Sequence, residues 1–305
     1  MRLDEFKTVF SDCINRCATY FDIHREYVEK DYWLTLVLKN IIAKDNSSVF
    51  KGGTSLSKCF NLIQRFSEDI DISYKEAYKA LTVSQIEKKF KGIKESIEES
   101  GLVISNSDSL RRRRYFNQFH CPYPTLFSDG NINKEVVVEL SAQTPSFPSV
   151  KRTIQSFVGE YLEKTGQHNL VEQYGLEPFE IDTQCLERTL VDKLFAICDY
   201  YLDINCERHS RHLYDIYKLL TVVELNDSFL DLLNQVKLVR KKLRVCYSAR
   251  DGIVLSNIIN EIIKQESYKD DYENVTYTLL YERIKYSECE KSLIKIRDFL
   301  IENGF

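Results

Sequence analysis

The sequence predicts an α+β fold, with a mixed-sheet core in the first half and a large all-helical lobe in the second. Three observations indicate this class. Ile70, Ile72 and Tyr74 alternate with polar residues, which is the period of a strand with one buried face. Val49 and Phe50 form a short apolar run directly before two glycines, as in a strand that enters a turn. From about residue 150 onward, apolar residues follow helical spacing almost throughout.

The other elements of the first half follow from the same periodicities. The expected helices are 4–21, 25–43, 54–63 and 83–100. The additional expected strands are 103–105, 111–121 and 135–140. Thr54 is expected to cap its helix, because a threonine side chain accepts hydrogen bonds from free N–H groups at a helix start. Gly101 is expected to end the 83–100 helix.

The second half contains a series of helical segments and no low-complexity tract. The expected helices are 150–164, 183–202, 210–223, 227–243, 251–264, 270–283 and 287–303. We place a boundary where the pattern changes. It gives a core with N-terminal helices at 1–160 and a helical lobe at 161–305.

Composition indicates the broad class of protein. Hydrophobic residues make up 43% and charged residues 29% of the chain, which is a globular composition. The net charge of −4 does not by itself suggest a nucleic-acid-binding protein. No apolar run reaches the roughly 20 residues that span a bilayer, and the first residues lack a signal-peptide stretch. Nine scattered cysteines are typical of reduced thiols, so we expect a cytoplasmic protein without a membrane partner.

One cysteine and two histidines raise a metal alternative. Cys206, His209 and His212 recur at every third residue and could share one helical face. A structural zinc ion normally has four protein ligands, and no obvious fourth ligand accompanies these three. We therefore treat a zinc site as a minor alternative.

The turn at Gly52, Gly53, Thr54 and Ser55 is the first candidate binding site. Glycines allow the backbone to approach a ligand closely, and the free N–H groups at a helix start attract phosphate. The segment lacks the pattern of a Walker loop. By itself it is compatible with a tight turn that binds nothing.

Asp69 and Asp71 are the second candidate site. Residues i and i+2 of a strand project from one face, about 6.6 Å apart. Two carboxylates at that distance repel by ~2–3 kcal/mol at an effective dielectric constant of 20. A divalent cation would relieve this repulsion, and oxygen ligands favour Mg²⁺ or Mn²⁺. The alternative is a solvated polar face of an edge strand.

The two candidates together indicate more than either one alone. A phosphate-binding turn followed by one helix and a two-carboxylate strand is a compact unit for a metal-bound nucleoside triphosphate, or NTP. Ser67 is expected on the same strand face as Asp69, within reach of a phosphate oxygen. Arg65 could pair with phosphate, or could be an exposed arginine without a function.

Five separated segments now support a family resemblance. They are EKDYW at 29–33, GGTSLSK at 52–58, RFSEDID at 65–71, ERTLVDK at 187–193 and RHLYD at 211–215. Their order and sequences are similar to the AbiEii/AbiGii-type toxin family. Members of that family are nucleotidyltransferases of abortive-infection and type IV toxin–antitoxin systems, with a polymerase-β-like nucleotidyltransferase core.

The resemblance implies roles for particular residues. It implies that Asp69 and Asp71 bind the catalytic metal, that Lys193 contacts the triphosphate, and that Asp215 completes the cleft from the helical lobe. By helical spacing alone, Lys193 could extend into solvent and Asp215 could form a surface ion pair with Arg211. Glu139 is the candidate third carboxylate, because it follows a strand pattern beside buried valines.

A basic run next to aromatic residues is the candidate RNA contact. Four arginines at 111–114 precede Tyr115 and Phe116, and such pairs of cations and rings can hold an RNA backbone and stack a base. A solvated strand is the plain alternative. The predicted RNA contacts are Arg112, Arg114 and Arg211.

The predicted function is transfer of a nucleoside monophosphate from an NTP to an acceptor, with release of pyrophosphate. The resemblance implies a toxin that acts on the 3′ end of tRNA, stops translation and growth, and is restrained by a cognate antitoxin. A metal-dependent transferase that uses nucleotide sugars is one alternative, because paired aspartates also bind those substrates. A non-catalytic regulator that binds NTP or RNA is another.

Overall fold

A computed structural model describes residues 1–65, 67, 69–76, 80–112, 115–127, 132–141 and 143–305. The chain forms two compact units. Unit 1 comprises Met1–Cys59 and Glu68–Thr183, and unit 2 comprises Phe60–Ser67 and Gln184–Phe305. The predicted boundary near residue 160 falls within unit 1.

Unit 1 is built around a mixed sheet. Its strands are β1 (Ser48–Lys51), β2 (Asp69–Tyr74), β3 (Phe116–Pro122), β4 (Glu135–Ser141), β5 (Ser149–Ile154) and β6 (Phe179–Gln184). Their order across the sheet is β3-β4-β2-β1-β6-β5. The pairs β2–β4 and β1–β6 are parallel, whereas β1–β2 and β3–β4 are antiparallel. This mixed sheet confirms the predicted α+β class.

Helices pack on the sheet in unit 1. They are α1 (Lys7–Phe21), α2 (Arg25–Lys44), α3 (Gly52–Lys58), α4 (Val83–Glu99), α5 (Phe157–Lys164) and α6 (His168–Tyr174). Ile70 and Ile72 of β2 are fully buried, as their alternation predicts. Thr82 caps α4 through a capping box with Gln85, and Gly101 follows the helix with a φ of +79°.

The short helix α3 differs from the prediction at both ends. It begins at Gly52, so Thr54 lies within the helix and does not cap it. It ends at Lys58 instead of Ile63. Asn61 has a φ of +48°, and this left-handed conformation turns the chain out of the helical path that the apolar spacing predicted.

Several predicted strands and helices also shift. Residues 103–105 do not form a strand, and β3 begins at Phe116 instead of residue 111. Strand β5 occupies part of the segment predicted as the 150–164 helix, and Ser156 caps α5 immediately after it. The middle of β5 is exposed, so its sequence lacks the alternation that would have identified a strand. Strand β6 was not predicted, although its buried residues Ile181 and Thr183 alternate with more exposed acidic residues.

Unit 2 is helical in its described residues. Its helices are α7 (Leu186–Leu202), α8 (Arg211–Leu219), α9 (Asp227–Arg240), α10 (Leu255–Lys264), α11 (Lys269–Asn274) and α12 (Tyr286–Glu302). They follow the predicted order, and most end earlier than predicted. Within the described part of the chain, no helix has the length and apolar character needed to cross a membrane.

Helix α2 carries a row of buried charges that hold distant segments of unit 1. Asp31 accepts hydrogen bonds from the Lys58 ammonium and, at 2.8 Å, from the Phe157 N–H. It therefore joins the end of α3 to the start of α5. Glu29 accepts from Leu126 N–H at 2.7 Å and from a threonine hydroxyl, and Lys30 donates to a backbone carbonyl. The EKDYW segment is thus a structural anchor.

We predict that Asp31→Ala lowers the free energy of unfolding by ~3–5 kcal/mol, because it leaves the Lys58 ammonium buried without its partner. Chemical denaturation measures this change. A suitable control is Glu177→Ala, which breaks an exposed ion pair with Lys39 and should cost less than about 1 kcal/mol. Equal losses in the two variants would contradict the anchoring role.

Candidate functional site

The acidic residues of unit 1 meet on one face of the sheet. In the parallel pair β2–β4, Asp71 lies opposite Glu139 and Asp69 lies opposite Val137. Paired residues and residues two apart share a face, so the three carboxylates are neighbours. Ile70 points to the opposite side and is buried. The strand pattern therefore places the acids together and anchors their strands in the core.

Glu139 lies in an unfavourable environment for a carboxylate. Burial, together with the nearby Asp71 and Asp69 charges, raises the pKa of Glu139 to about 7. Glu139 also shares a hydrogen bond with Asp71. The Gln118 amide donates to Glu139 Oε1 at 2.9 Å and opposes part of this effect. A proton on Glu139 therefore relieves the repulsion between the acids, and a bound cation would relieve it in the same way.

This donor set fits a hard divalent cation in its chemistry. Carboxylate oxygens are the ligands that Mg²⁺ and Mn²⁺ prefer, and a cation would relieve the repulsion that raises the pKa of Glu139. Among the described residues, no three His, Cys, Asp or Glu side chains are arranged as ligands around one point. The acids are adjacent, with Asp71 and Glu139 joined through a hydrogen bond.

Gly52 lies against the carboxylate of Asp71. Lys51 pairs with Asp71 across β1 and β2, and the chain then turns at Gly52 with a φ of +77°. A Cβ atom at Gly52 would lie 1.8 Å from Asp71 Oδ2 and 2.6 Å from Cγ. Only glycine therefore fits, on conformational and steric grounds. The glycine turn therefore lies directly against the paired acids.

The hydroxyl groups of the predicted phosphate-binding turn are buried. Thr54 and Ser55 are 2% and 0% exposed. Ser55 donates to the Gly52 carbonyl at 2.9 Å, which stabilises the first turn of α3. Ser67 precedes β2, which begins at Asp69, so the expectation that it lies on the strand is wrong. Nucleotide binding by these groups stays a prediction.

A buried ionic cluster lies within unit 2. Asp215 is fully buried and accepts two hydrogen bonds from Arg65, Nε–Oδ1 and Nη2–Oδ2, both at 2.8 Å. Lys193 Nζ lies 2.5 Å from Asp215 Oδ2. The alternative of a surface ion pair between Asp215 and Arg211 is therefore wrong. Arg65 is likewise not the exposed arginine that the sequence allowed, because it is 5% exposed.

Burial and charge act in opposite directions in this cluster. Burial would raise the pKa of Asp215, but Arg65 and Lys193 hold the pKa below its ordinary value. Burial lowers the pKa of Lys193, and Asp215 opposes that effect. Lys193 is only 7% exposed, so it does not extend into solvent as its helical position allowed. Two cations thus pair with one buried carboxylate.

The histidines near this cluster do not form a zinc site in the described residues. His209 stacks on Tyr200 with ring centroids 3.5 Å apart. His212 Nδ1 lies 3.5 Å from Lys193 Nζ. Burial and the Lys193 charge hold the pKa of His212 well below its ordinary value, so its neutral ring can accept a hydrogen bond from the ammonium.

The predicted RNA contacts lie at different places along the chain. Arg112 is exposed in the turn before β3. Arg211 is exposed at the first residue of α8. Arg114 lies outside the described residues. Binding of RNA by any of the three stays a prediction.

Sequence reasoning missed Gln118, which contacts the acid cluster directly. Gln118 pairs with Glu139 across β3 and β4. Its position in a segment of alternating residues indicated a strand, but the register between two strands cannot be derived from one sequence. The other side of its amide contacts His120, with Oε1 3.2 Å from the ring Nε2. This contact fixes the orientation of the Gln118 amide.

A mixed sheet with a glycine turn packed on paired strand carboxylates is the arrangement expected of a nucleotidyltransferase. The family model described as "Nucleotidyl transferase AbiEii toxin, Type IV TA system" matches residues 37–291. The chain therefore belongs to this family, as predicted, and four of the five motifs lie in the matched range, which begins after EKDYW at 29–33. It is a nucleotidyltransferase toxin, and membership implies an NTP substrate and a cognate antitoxin.

One solved structure gives independent support for the fold. It is MenT4, a nucleotidyltransferase toxin from Mycobacterium tuberculosis H37Rv, which is 20% identical in sequence. The match has a TM-score of 0.59 and covers 90% of this chain and 82% of that chain. No curated protein matches the sequence.

We predict that Gly52→Ala removes nucleotidyl transfer and destabilises the protein. The new methyl group would displace the Asp71 carboxylate, and a left-handed alanine costs a further ~1–2 kcal/mol. Product formation and thermal unfolding measure the two effects. The matched control is Gly92→Ala in α4, where nothing lies within 4 Å and alanine should stabilise the helix by about 1 kcal/mol. Full activity of Gly52→Ala would disprove the close packing.

We also predict that the crowded acids destabilise the fold as pH rises. The pKa of Glu139 is raised, so the native state binds its proton more tightly than the unfolded chain does. Stability from this group is therefore lost between about pH 4.5 and about pH 7. Denaturation across this range should show that Glu139→Gln gains stability relative to the natural protein as pH rises. A constant difference between the two proteins would contradict the assignment.

Proposed function

We propose that this toxin transfers a nucleoside monophosphate from an NTP to a hydroxyl group at the 3′ end of tRNA, in a reaction that needs a divalent cation. One observation carries the catalytic part of the proposal. The Asp71 carboxylate packs on the Gly52 backbone and lies opposite Glu139, so the acids and the glycine turn form one cluster. The tRNA acceptor is inferred from the type of toxin.

Asp69 and Asp71 would hold the cation, with Glu139 as a third oxygen donor. Mg²⁺ or Mn²⁺ bound there would neutralise phosphate charge and make the α-phosphorus more electrophilic. The Gly52–Gly53 backbone would lie along the phosphates, where the absence of side chains permits close approach. Thr54 and Ser55 keep this turn in shape from their buried positions.

The reaction forms one bond and breaks one bond at the α-phosphorus. The acceptor oxygen attacks in line, and the bond to the oxygen that bridges the α- and β-phosphates breaks, so pyrophosphate leaves. The acceptor hydroxyl loses its proton, and a carboxylate oxygen of Glu139 that is not bound to the cation would take it, because Glu139 lies opposite Asp71 on the same sheet face. Asp69 and Asp71 would remain ligands of the cation.

Lys193 and Arg65 are the proposed partners of the triphosphate. Both side chains form ion pairs with the buried Asp215 carboxylate. Arginine and lysine side chains are the groups with which proteins bind phosphate. Asp215 would act by holding both side chains in place. The nine cysteines are all free thiols, in keeping with action in the cytoplasm, where tRNA is found.

The experiment is incubation of the purified protein with Mg²⁺, each α-labelled NTP in turn, and total tRNA. We expect label to enter tRNA with one or more NTPs, and we expect Asp71→Ala to lose at least about 100-fold in rate, because it removes a group that positions transition-state charge. Gly92→Ala serves as a folded control. Chelation of the metal should abolish transfer.

Other outcomes would point to the alternatives. Label on the protein would indicate self-modification instead of RNA as the acceptor. Turnover of a nucleotide sugar without transfer from any NTP would indicate a glycosyltransferase. Growth inhibition that persists in Asp71→Ala would support a non-catalytic binding protein and would overturn the proposed reaction.

A further inference from the structure

Strand β3 forms one edge of the sheet and exposes aromatic side chains at its start. Phe116 is 46% exposed and Tyr115, the residue before the strand, is 39% exposed. Large exposed rings are costly in water unless a partner covers them. Phe119 and Cys121 lie on the opposite face of the strand and are buried in the core. On the face of Phe116, the next residues are the polar Gln118 and His120, so the exposed apolar surface of this face is at the start of β3.

Phe116 lies on the face of the sheet that carries the catalytic acids. Gln118 pairs with Glu139 and donates to it at 2.9 Å. Phe116 precedes Gln118 by two residues, so both project from the same face, about 6.6 Å apart along the strand. A ligand that covers Phe116 would thus lie next to Gln118 and, one strand further, to Glu139.

The outer edge of β3 is covered by the loop at 105–111. Ser105 N–H donates to the His120 carbonyl at 2.9 Å. Asn106 accepts from the His120 N–H at 3.0 Å and donates to the Gln118 carbonyl at 2.8 Å. These contacts use backbone groups that an added strand would need. A protein partner is therefore hindered from extending the sheet at β3.

The same loop brings two arginines to the start of β3. Asn117 Oδ1 accepts from Arg111 N–H at 3.0 Å, and Asn117 Nδ2 donates to the Arg111 carbonyl at 3.1 Å. Asn117 is 4% exposed and holds this segment firmly. Arg111 and Arg112 are both exposed, and the Arg111 guanidinium donates to the Asp108 and Leu110 carbonyls of the same loop.

We propose that Arg111, Arg112, Tyr115 and Phe116 form an acceptor surface that binds the single-stranded end of the RNA substrate and leads it to the acid cluster. Stacking on rings and pairing with cations is the way in which proteins bind unpaired RNA. The inference rests on the proposed function, because an RNA acceptor gives the surface its use. None of these four residues is required by the transfer chemistry itself.

An antitoxin protein is the competing occupant of this surface. The structure favours RNA for two reasons. Arginines precede the rings in the chain, and Phe116 lies on the face of Asp71 and Glu139, where an acceptor hydroxyl must arrive. Proteins commonly dock at a sheet edge by adding a strand to it. The edge of β3 is hindered from accepting one, because the loop at 105–111 already covers it.

The test measures RNA binding without catalysis. A fluorescent single-stranded RNA of mixed sequence is titrated with the full-length protein, with no NTP, and anisotropy gives the dissociation constant. We expect Phe116→Ala to weaken binding by roughly 5- to 100-fold, because one base loses the ring on which it stacks. Phe116→Trp should retain binding, because it keeps an aromatic ring at this position. Tyr20→Ala removes an exposed ring on α1 and should leave RNA binding unchanged.

A salt titration tests the cations. Arg112→Gln should reduce the slope of log affinity against log salt by about 0.7, as expected for one phosphate contact with a single strand. Thermal unfolding of each variant checks that the fold is retained. A fully paired hairpin of the same length should bind more weakly than the single strand.

The outcomes separate this inference from the proposed function. Unchanged RNA affinity in Phe116→Ala and Arg112→Gln, in a protein that transfers label to tRNA, would overturn the acceptor surface and leave the reaction intact. Equal affinity for hairpin and single strand would also overturn it. Loss of RNA affinity in both variants supports the surface, even if the labelled-NTP assay identifies a different reaction.

Discussion

The contact between the Asp71 carboxylate and the Gly52 backbone is the constraint on which the rest of the site depends. It brings a strand acid against a turn that lacks side chains, and it requires a left-handed φ that only glycine adopts readily. The parallel pairing of β2 with β4 then sets Glu139 beside Asp71. Core residues such as Ile70 and Ile72 hold this arrangement from the other face of the sheet.

The two units carry charge of opposite character. In unit 1, three carboxylates crowd one sheet face, and the raised pKa of Glu139 reports their mutual repulsion and burial. In unit 2, the cations Arg65 and Lys193 both pair with the buried Asp215 carboxylate. The cluster of unit 2 is built from buried side chains, so it cannot adjust cheaply to a lost partner.

The sequence predicted the fold class, the family and the order of most elements, because alternation and helical spacing are local properties. It predicted less well where structure depends on distant contacts. The middle of strand β5 is exposed and lacks alternation, so the sequence predicts part of a helix there. The pairing of Gln118 with Glu139 depends on register, and the burial of Asp215 depends on Arg65, 150 residues away in sequence. The family motifs identified Asp215, but not what it contacts.

The anchor at Asp31 has a consequence for how the protein is made. Its carboxylate binds the Phe157 N–H, 126 residues further along the chain. During translation, Asp31 and the end of α3 must therefore wait for more than half of the polypeptide to leave the ribosome. A growing chain that lacks Phe157 cannot form this anchor, and one that lacks Glu139 cannot complete the acid cluster.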